Sequence, residues 1–86
     1  MTQLSLVLRN QSFFNLENIG DKQKAVYQTI LAHPHCTDRQ IALYLGWEIN
    51  RVTPRRNELQ GIGAIVASGT TKDQSTNRTV TTWQVR

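Results

Sequence analysis

The segment Thr37–Leu59, TDRQIALYLGWEINRVTPRRNEL, constrains the fold of this chain more than any other stretch. Thr37 with Gln40 three residues on has the spacing of a capping box. In that motif the hydroxyl accepts a first-turn N–H and the amide reaches back to the threonine N–H. The pattern predicts a helix over residues 38–45, with Ile41, Ala42 and Leu45 facing inward. Gly46 comes directly after the last apolar position, where a left-handed backbone ends a helix and turns the chain. A further helix is expected from Glu48 to Gln60. Two short helices joined by one tight glycine turn form a helix-turn-helix.

At about 100° per residue, the Glu48–Gln60 helix places Ile49, Val52 and Leu59 on one face. Asn50, Arg51, Pro54, Asn57 and Glu58 fall on or near the opposite face, with Thr53 and Arg55 flanking the apolar stripe. Arg56 falls inside that stripe. Its expected role is structural, its stem covering apolar surface and its guanidinium pairing with a carboxylate, for which Asp38 is the candidate. The rival role is phosphate contact. Pro54 removes one helical hydrogen bond and crowds the carbonyl of Asn50. Either the helix runs on through a kink, or Thr53 caps a second helix that begins at Pro54. One kinked helix is the better reading, because Ile49 and Val52 continue the face of Leu59.

The remainder reads as follows. Asp21 is the expected N-cap of a helix over residues 22–33 whose inner face is Ala25, Val26, Ile30 and Leu31, flanked by Tyr27. Pro34 ends it, and His35-Cys36 suits a very short extended segment. After Gly61 and Gly63, Ile65–Ala67 and Thr79–Val85 read as strands, and the polar stretch 68–78, SGTTKDQSTNR, as a long loop between them. Residues 1–20 hold Leu4, Leu6, Val7, Leu8, Phe13, Phe14, Leu16 and Ile19, too apolar for a solvated tail. They are expected to form an arm packed on the domain at 21–86, with a dimerisation arm as the alternative. Trp47 and Trp83 are expected in the core or an interface; base stacking is the alternative.

Eighty-six residues suffice for one small domain. The net charge of +4 and pI of about 9.9 favour a polyanionic partner. The single cysteine, Cys36, permits no intrachain disulfide and fits a reducing cytoplasm. No apolar run is long enough to span a bilayer. The N-terminus has neither the basic start nor the cleavage site of a signal peptide. His33, His35 and Cys36 supply three metal-ligand types but no fourth at a recognisable spacing, so no metal or other cofactor is expected. No nucleophile–base pair, carboxylate pair or phosphate loop is present, and an enzyme is not expected.

The order helix, helix, turn, helix, hairpin resembles the winged helix-turn-helix superfamily over residues 21–86. The local signature is Ala42, Gly46 four residues on, and Val52 six after that. LGWEINRVTPRRNEL, followed by a hairpin with a closing tryptophan at Trp83, also resembles small winged-helix proteins of bacteriophages and prophages. The resemblance implies an α+β fold of three helices and a two-stranded wing. It also implies double-stranded DNA as partner, and phage or bacterial transcriptional regulation as role. Asn50, Arg51, Thr53, Arg55 and Asn57 are then the candidates for groove contacts, and Lys72 and Arg78 for wing contacts. The residue types suit this: arginine can chelate guanine O6 and N7, and asparagine can pair with adenine. A homodimer or a protein partner would extend the short site one helix can read. The alternatives are a protein-interaction adaptor, or a DNA-binding component of phage replication, packaging or recombination.

Overall fold

A computed structural model describes residues 19–86. The arm expected over residues 1–20, with its two alternative roles, lies almost wholly outside the described residues. The elements are α1 (Asp21–Ala32), α2 (Asp38–Leu45), α3 (Ile49–Gly61), β1 (Ile65–Asp73) and β2 (Arg78–Val85).

Helix α2 starts and stops as its sequence dictates. Gln40 N–H donates to Thr37 Oγ1 at 3.2 Å and Thr37 N–H to Gln40 Oε1 at 3.0 Å, closing the capping box. Gly46 adopts φ 71°, ψ 29°, and Trp47 N–H donates to the Ala42 carbonyl at 2.9 Å, the bond that closes such a helix end. Gly63, at φ 81°, plays the same part after α3, where Ala64 N–H reaches the Leu59 carbonyl at 2.9 Å.

Three expectations for the helices are corrected. Gly20, not Asp21, is the N-cap of α1. Its N–H donates to Gln23 Oε1 at 3.0 Å, and Asp21 sits in the first turn, where its charge favours the helix dipole. Leu31 is 54% exposed, since it lies about 100° from Ile30, beyond the edge of the stripe. Thr29 is buried instead, its hydroxyl satisfied by the Ala25 carbonyl at 2.8 Å. Ile49 is 37% exposed, because it opens α3 at the lip of a cleft rather than reaching the core. Pro54 is accommodated within one continuous α3, as the shared face of Val52 and Leu59 requires.

The hairpin is longer than its sequence indicates. β1 runs to Asp73, not Ala67, and pairs antiparallel with β2 from Ile65↔Val85 to Asp73↔Arg78. The expected loop over 68–78 contracts to a turn at 74–77. Thr70 and Thr71, paired with Thr81 and Val80, are β-branched and suit a ladder even where both faces are polar. The register shifts between Ala67 and Gly69, where Ser68 and Thr82 share a hydroxyl hydrogen bond of 2.7 Å. At the tip Asn77 takes φ 60°, Asn77 N–H donates to the Asp73 carbonyl at 2.6 Å, and Ser75 N–H to Asp73 Oδ1 at 2.9 Å.

The extended segment expected at His35-Cys36 is a single antiparallel bridge to Trp83. His35 N–H donates to the Trp83 carbonyl at 2.7 Å, and Trp83 N–H to the Cys36 carbonyl at 2.9 Å. This pins the α1–α2 connection to the hairpin. Val26, Ile30, Ile41, Val52, Leu59 and Ile65 are all but fully buried where the three helices meet the hairpin base. Each contributes about 2 kcal/mol of apolar burial. Trp83 is buried with them, and Ile19, Leu45 and Trp47 pack partly exposed against the same core. No described helix is long and apolar enough to cross a membrane.

Candidate nucleic-acid interface

Val52 and Leu59 fix the rotation of α3, because both are fully buried. The side chains nearly opposite them, Asn50, Pro54 and Asn57, are therefore exposed, and Arg51 is exposed beside them. Arg51 and Asn50 have no side-chain partner among the described residues. The other candidates on α3 are held in contacts. Thr53 Oγ1 donates its one hydroxyl proton to Asp38 Oδ2 at 3.0 Å, which leaves its methyl and lone pairs for any ligand. Arg55 Nη2 donates to Glu58 Oε2 at 3.1 Å. Its Nε stands 3.0 Å from Glu58 Oε1 but has no aligned hydrogen bond. Gln23 on α1 donates to the same Glu58 oxygen at 2.7 Å, so the pair is drawn toward α1.

Arg56 occupies the structural place its helical angle indicates. Its Nε and Nη2 donate to Asp38 Oδ1 and Oδ2 at 2.9 and 3.1 Å, a bidentate clamp between α3 and the first turn of α2. Its guanidinium stands 4.3 Å from the centre of the Trp83 ring. The remaining nitrogen, Nη1, donates to Asn57 Oδ1 at 2.8 Å and Gln60 Oε1 at 3.0 Å. Gln60 is a residue that the sequence reading passed over. Its spacing of four from Arg56 was the available signal.

The two wing candidates do not act on one surface. Asp73 faces α2, bonded through Oδ2 to Arg39 Nε at 2.8 Å. Lys72 precedes it in the strand and so points to the opposite face. Arg78 is the cross-strand partner of Asp73 and shares its face, toward the helices. The Arg39–Asp73 pair, bridging α2 and the wing tip, had no local signature. It and the Asp38–Arg56 clamp bracket a cleft of about 270 Å³ lined also by Trp83, Val80 and Ile49.

Asp38, Glu58 and Asp73 are each paired with an arginine. Arg51, Lys72 and Arg78 have no partner among the described residues. Asp73 has its carboxyl held below the ordinary range, first by the Arg39 hydrogen bond and then by the Ser75 N–H. Among the described residues no group of His, Cys, Asp or Glu is arranged to hold a metal ion. His33 is instead stacked on Tyr44, with ring centres 3.8 Å apart. Cys36 is buried, and that burial pushes its thiol up to about 11.

No family model matches the chain, and no curated protein matches it. A solved crystal structure of MarR does, over 99% of this chain and 63% of that one, with a TM-score of 0.62 and 20% sequence identity. The chain thus spans less than two thirds of the length of the structure it matches. At this identity the likeness is one of fold, and with the three helices and antiparallel hairpin it gives the fold as a winged helix-turn-helix.

Proposed function

We propose that this chain binds double-stranded DNA as a transcriptional regulator of a bacterium or bacteriophage, acting in the cytoplasm as a binding protein rather than an enzyme. The observation that carries this reading is the exposed face of α3. It presents Asn50 and Arg51, which have no side-chain partner among the described residues, and Asn57, whose Oδ1 is taken by Arg56, while the one carboxylate within the helix, Glu58, is neutralised by Arg55. A helix so presented fits the major groove, with Arg51 supplying base or phosphate contact. Lys72 on the outer face of the wing suits flanking phosphate, and Arg78 on the inner face suits the backbone nearer α3. Thr53 and Arg55 are the lesser contributors in this reading, since both already have intramolecular partners. The MarR likeness supports the reading through the fold alone. One α3 reads only a few base pairs, so a homodimer on paired half-sites is part of the proposal.

A second reading, a protein-interaction module, is favoured by Leu43, Tyr44 and Leu31, which are 76, 56 and 54% exposed. The two are separated by fluorescence-anisotropy binding to a randomised duplex pool across a salt series, with sequencing of the bound fraction. DNA recognition gives an enriched short motif and an affinity that falls steeply with salt. Absence of binding at low salt overturns it in favour of a protein partner.

A further inference from the structure

We propose that Arg56 sets the polarity of the α3 amides, and thereby makes a guanine edge the base that this helix prefers. The inference deepens the DNA-binding reading and rests on it. A guanidinium nitrogen only donates, so the amide atoms facing Arg56 Nη1 must be oxygens. Asn57 Oδ1 and Gln60 Oε1 are those atoms, at 2.8 and 3.0 Å. Both amides therefore turn their NH2 groups away from Arg56, and both residues are exposed.

Arg56 is itself not free to release them. Its other two donors are fixed on the Asp38 carboxylate, its plane is backed by Trp83, and its side chain is only 11% exposed. The amide orientation is thus held by a group immobilised on two other elements, α2 and β2. An asparagine free to rotate offers an acceptor and a donor, the pair that matches adenine N6 and N7. With the acceptor turned inward, Asn57 and Gln60 offer donors alone. Guanine presents two acceptors in the major groove, O6 and N7, whereas adenine presents one acceptor and one donor. A donor-only edge favours guanine on both counts. Arg56 acts as a positioning residue here, and need not touch DNA.

The test is site selection from the randomised duplex pool with the intact chain and with Asn57→Asp, Gln60→Glu, Asn57→Ala and Arg56→Met. Asn57→Asp and Gln60→Glu keep an acceptor, now charged, for Arg56, so the fold is retained while the donors are lost. The expected result is guanine at a position whose preference disappears in Asn57→Asp or Gln60→Glu. Replacing that guanine by 7-deazaguanine should lower the affinity of the unsubstituted chain by about tenfold, the scale of one good base contact. It should leave Asn57→Ala nearly unaffected at the position that Asn57 reads. Arg56→Met frees the amides to rotate, and adenine should rise at the same position. Adenine enriched opposite Asn57 by the unsubstituted chain, or a guanine preference untouched by all the amide variants, would overturn the proposal while leaving DNA binding intact. A chain that binds no duplex at low salt would remove the DNA reading and this proposal with it. If Arg56→Met fails to fold, the aspartate and glutamate variants decide.

Discussion

The guanidinium of Arg56 stands 4.3 Å from the centre of the Trp83 ring, which places a charged residue of the third helix against the buried tryptophan of the last strand. The same group clamps Asp38 at 2.9 and 3.1 Å, so one side chain ties α2, α3 and β2 together. Removing it leaves a largely buried carboxylate without its partner and uncovers an aromatic face. Arg56→Ala should cost about 3 kcal/mol of stability, read from the urea midpoint. Arg56→Lys should recover only part of this, because an ammonium cannot form the bidentate pair. A loss below about 1 kcal/mol in the alanine variant would mean the pair behaves as a solvated surface bridge.

Arg51 and Arg55 are separated by their partners. Arg51 has none among the described residues, so Arg51→Ala should weaken duplex binding and lower the salt slope by about one, with stability changed by less than about 0.5 kcal/mol. Arg55 is bonded to Glu58, and Arg55→Ala leaves that carboxylate uncompensated near phosphate. Its binding defect should therefore be recovered by adding Glu58→Gln, whereas the Arg51 defect should not. An Arg55→Ala loss that persists in the double variant would place Arg55 directly on DNA.

Cys36 is buried, and its thiol is pushed up to about 11, first by burial and then, more weakly, by the nearby Asp38 charge. A backbone hydrogen bond acts in the opposite direction. Native protein at pH 8 should accordingly resist iodoacetamide, with labelling tracking unfolding rather than thiol ionisation. The linkage has a definite sign. The folded value exceeds the unfolded value of about 8.5, so this contribution to stability is complete below that pH and is lost as pH rises toward 11. Cys36→Ala should remove this part of the alkaline instability. Fast labelling of folded protein at pH 8 would show the thiol to be accessible.

The legible parts of this chain were those specified by neighbours in sequence. Thr37 and Gln40 declare the start of α2, Gly46 its end, and the angular position of Arg56 anticipated a carboxylate partner, which is Asp38. The reach of β1 was hidden because Thr70, Thr71 and Lys72 are polar on both faces of the ribbon. Periodicity then carries no signal, and only pairing with Thr79–Thr81 defines the strand. Leu31 was misplaced because an apolar residue just outside a helical stripe has the same composition as one inside it. The exposed polar face of α3 was legible in the sequence, but the pairing among its side chains was not. Thr53 with Asp38, and Arg39 with Asp73, depend on how distant elements meet.

Arg39 and Asp73 join the N-terminal turn of α2 to the tip of the wing, across a cleft that otherwise separates them. The Arg39 hydrogen bond, followed by the Ser75 N–H, lowers the Asp73 pKa. A lowered carboxyl value means the latch is at full strength above the ordinary carboxylate pKa of about 3.9 and weakens as pH falls below it. Ser75 N–H donates to Asp73 Oδ1, so its amide proton shift reports the titration directly. The midpoint read from Ser75 should lie below the ordinary carboxylate value in the intact chain. It should rise in Arg39→Ala, and raised salt should move it the same way, since exposed pairs are screened. The wing would at the same time become more mobile, which Lys72 and Arg78 would register as weaker duplex binding with no change in which base is preferred. A Ser75 midpoint that Arg39→Ala leaves in place would show that the tip turn alone holds Asp73, and that the wing is not latched to α2.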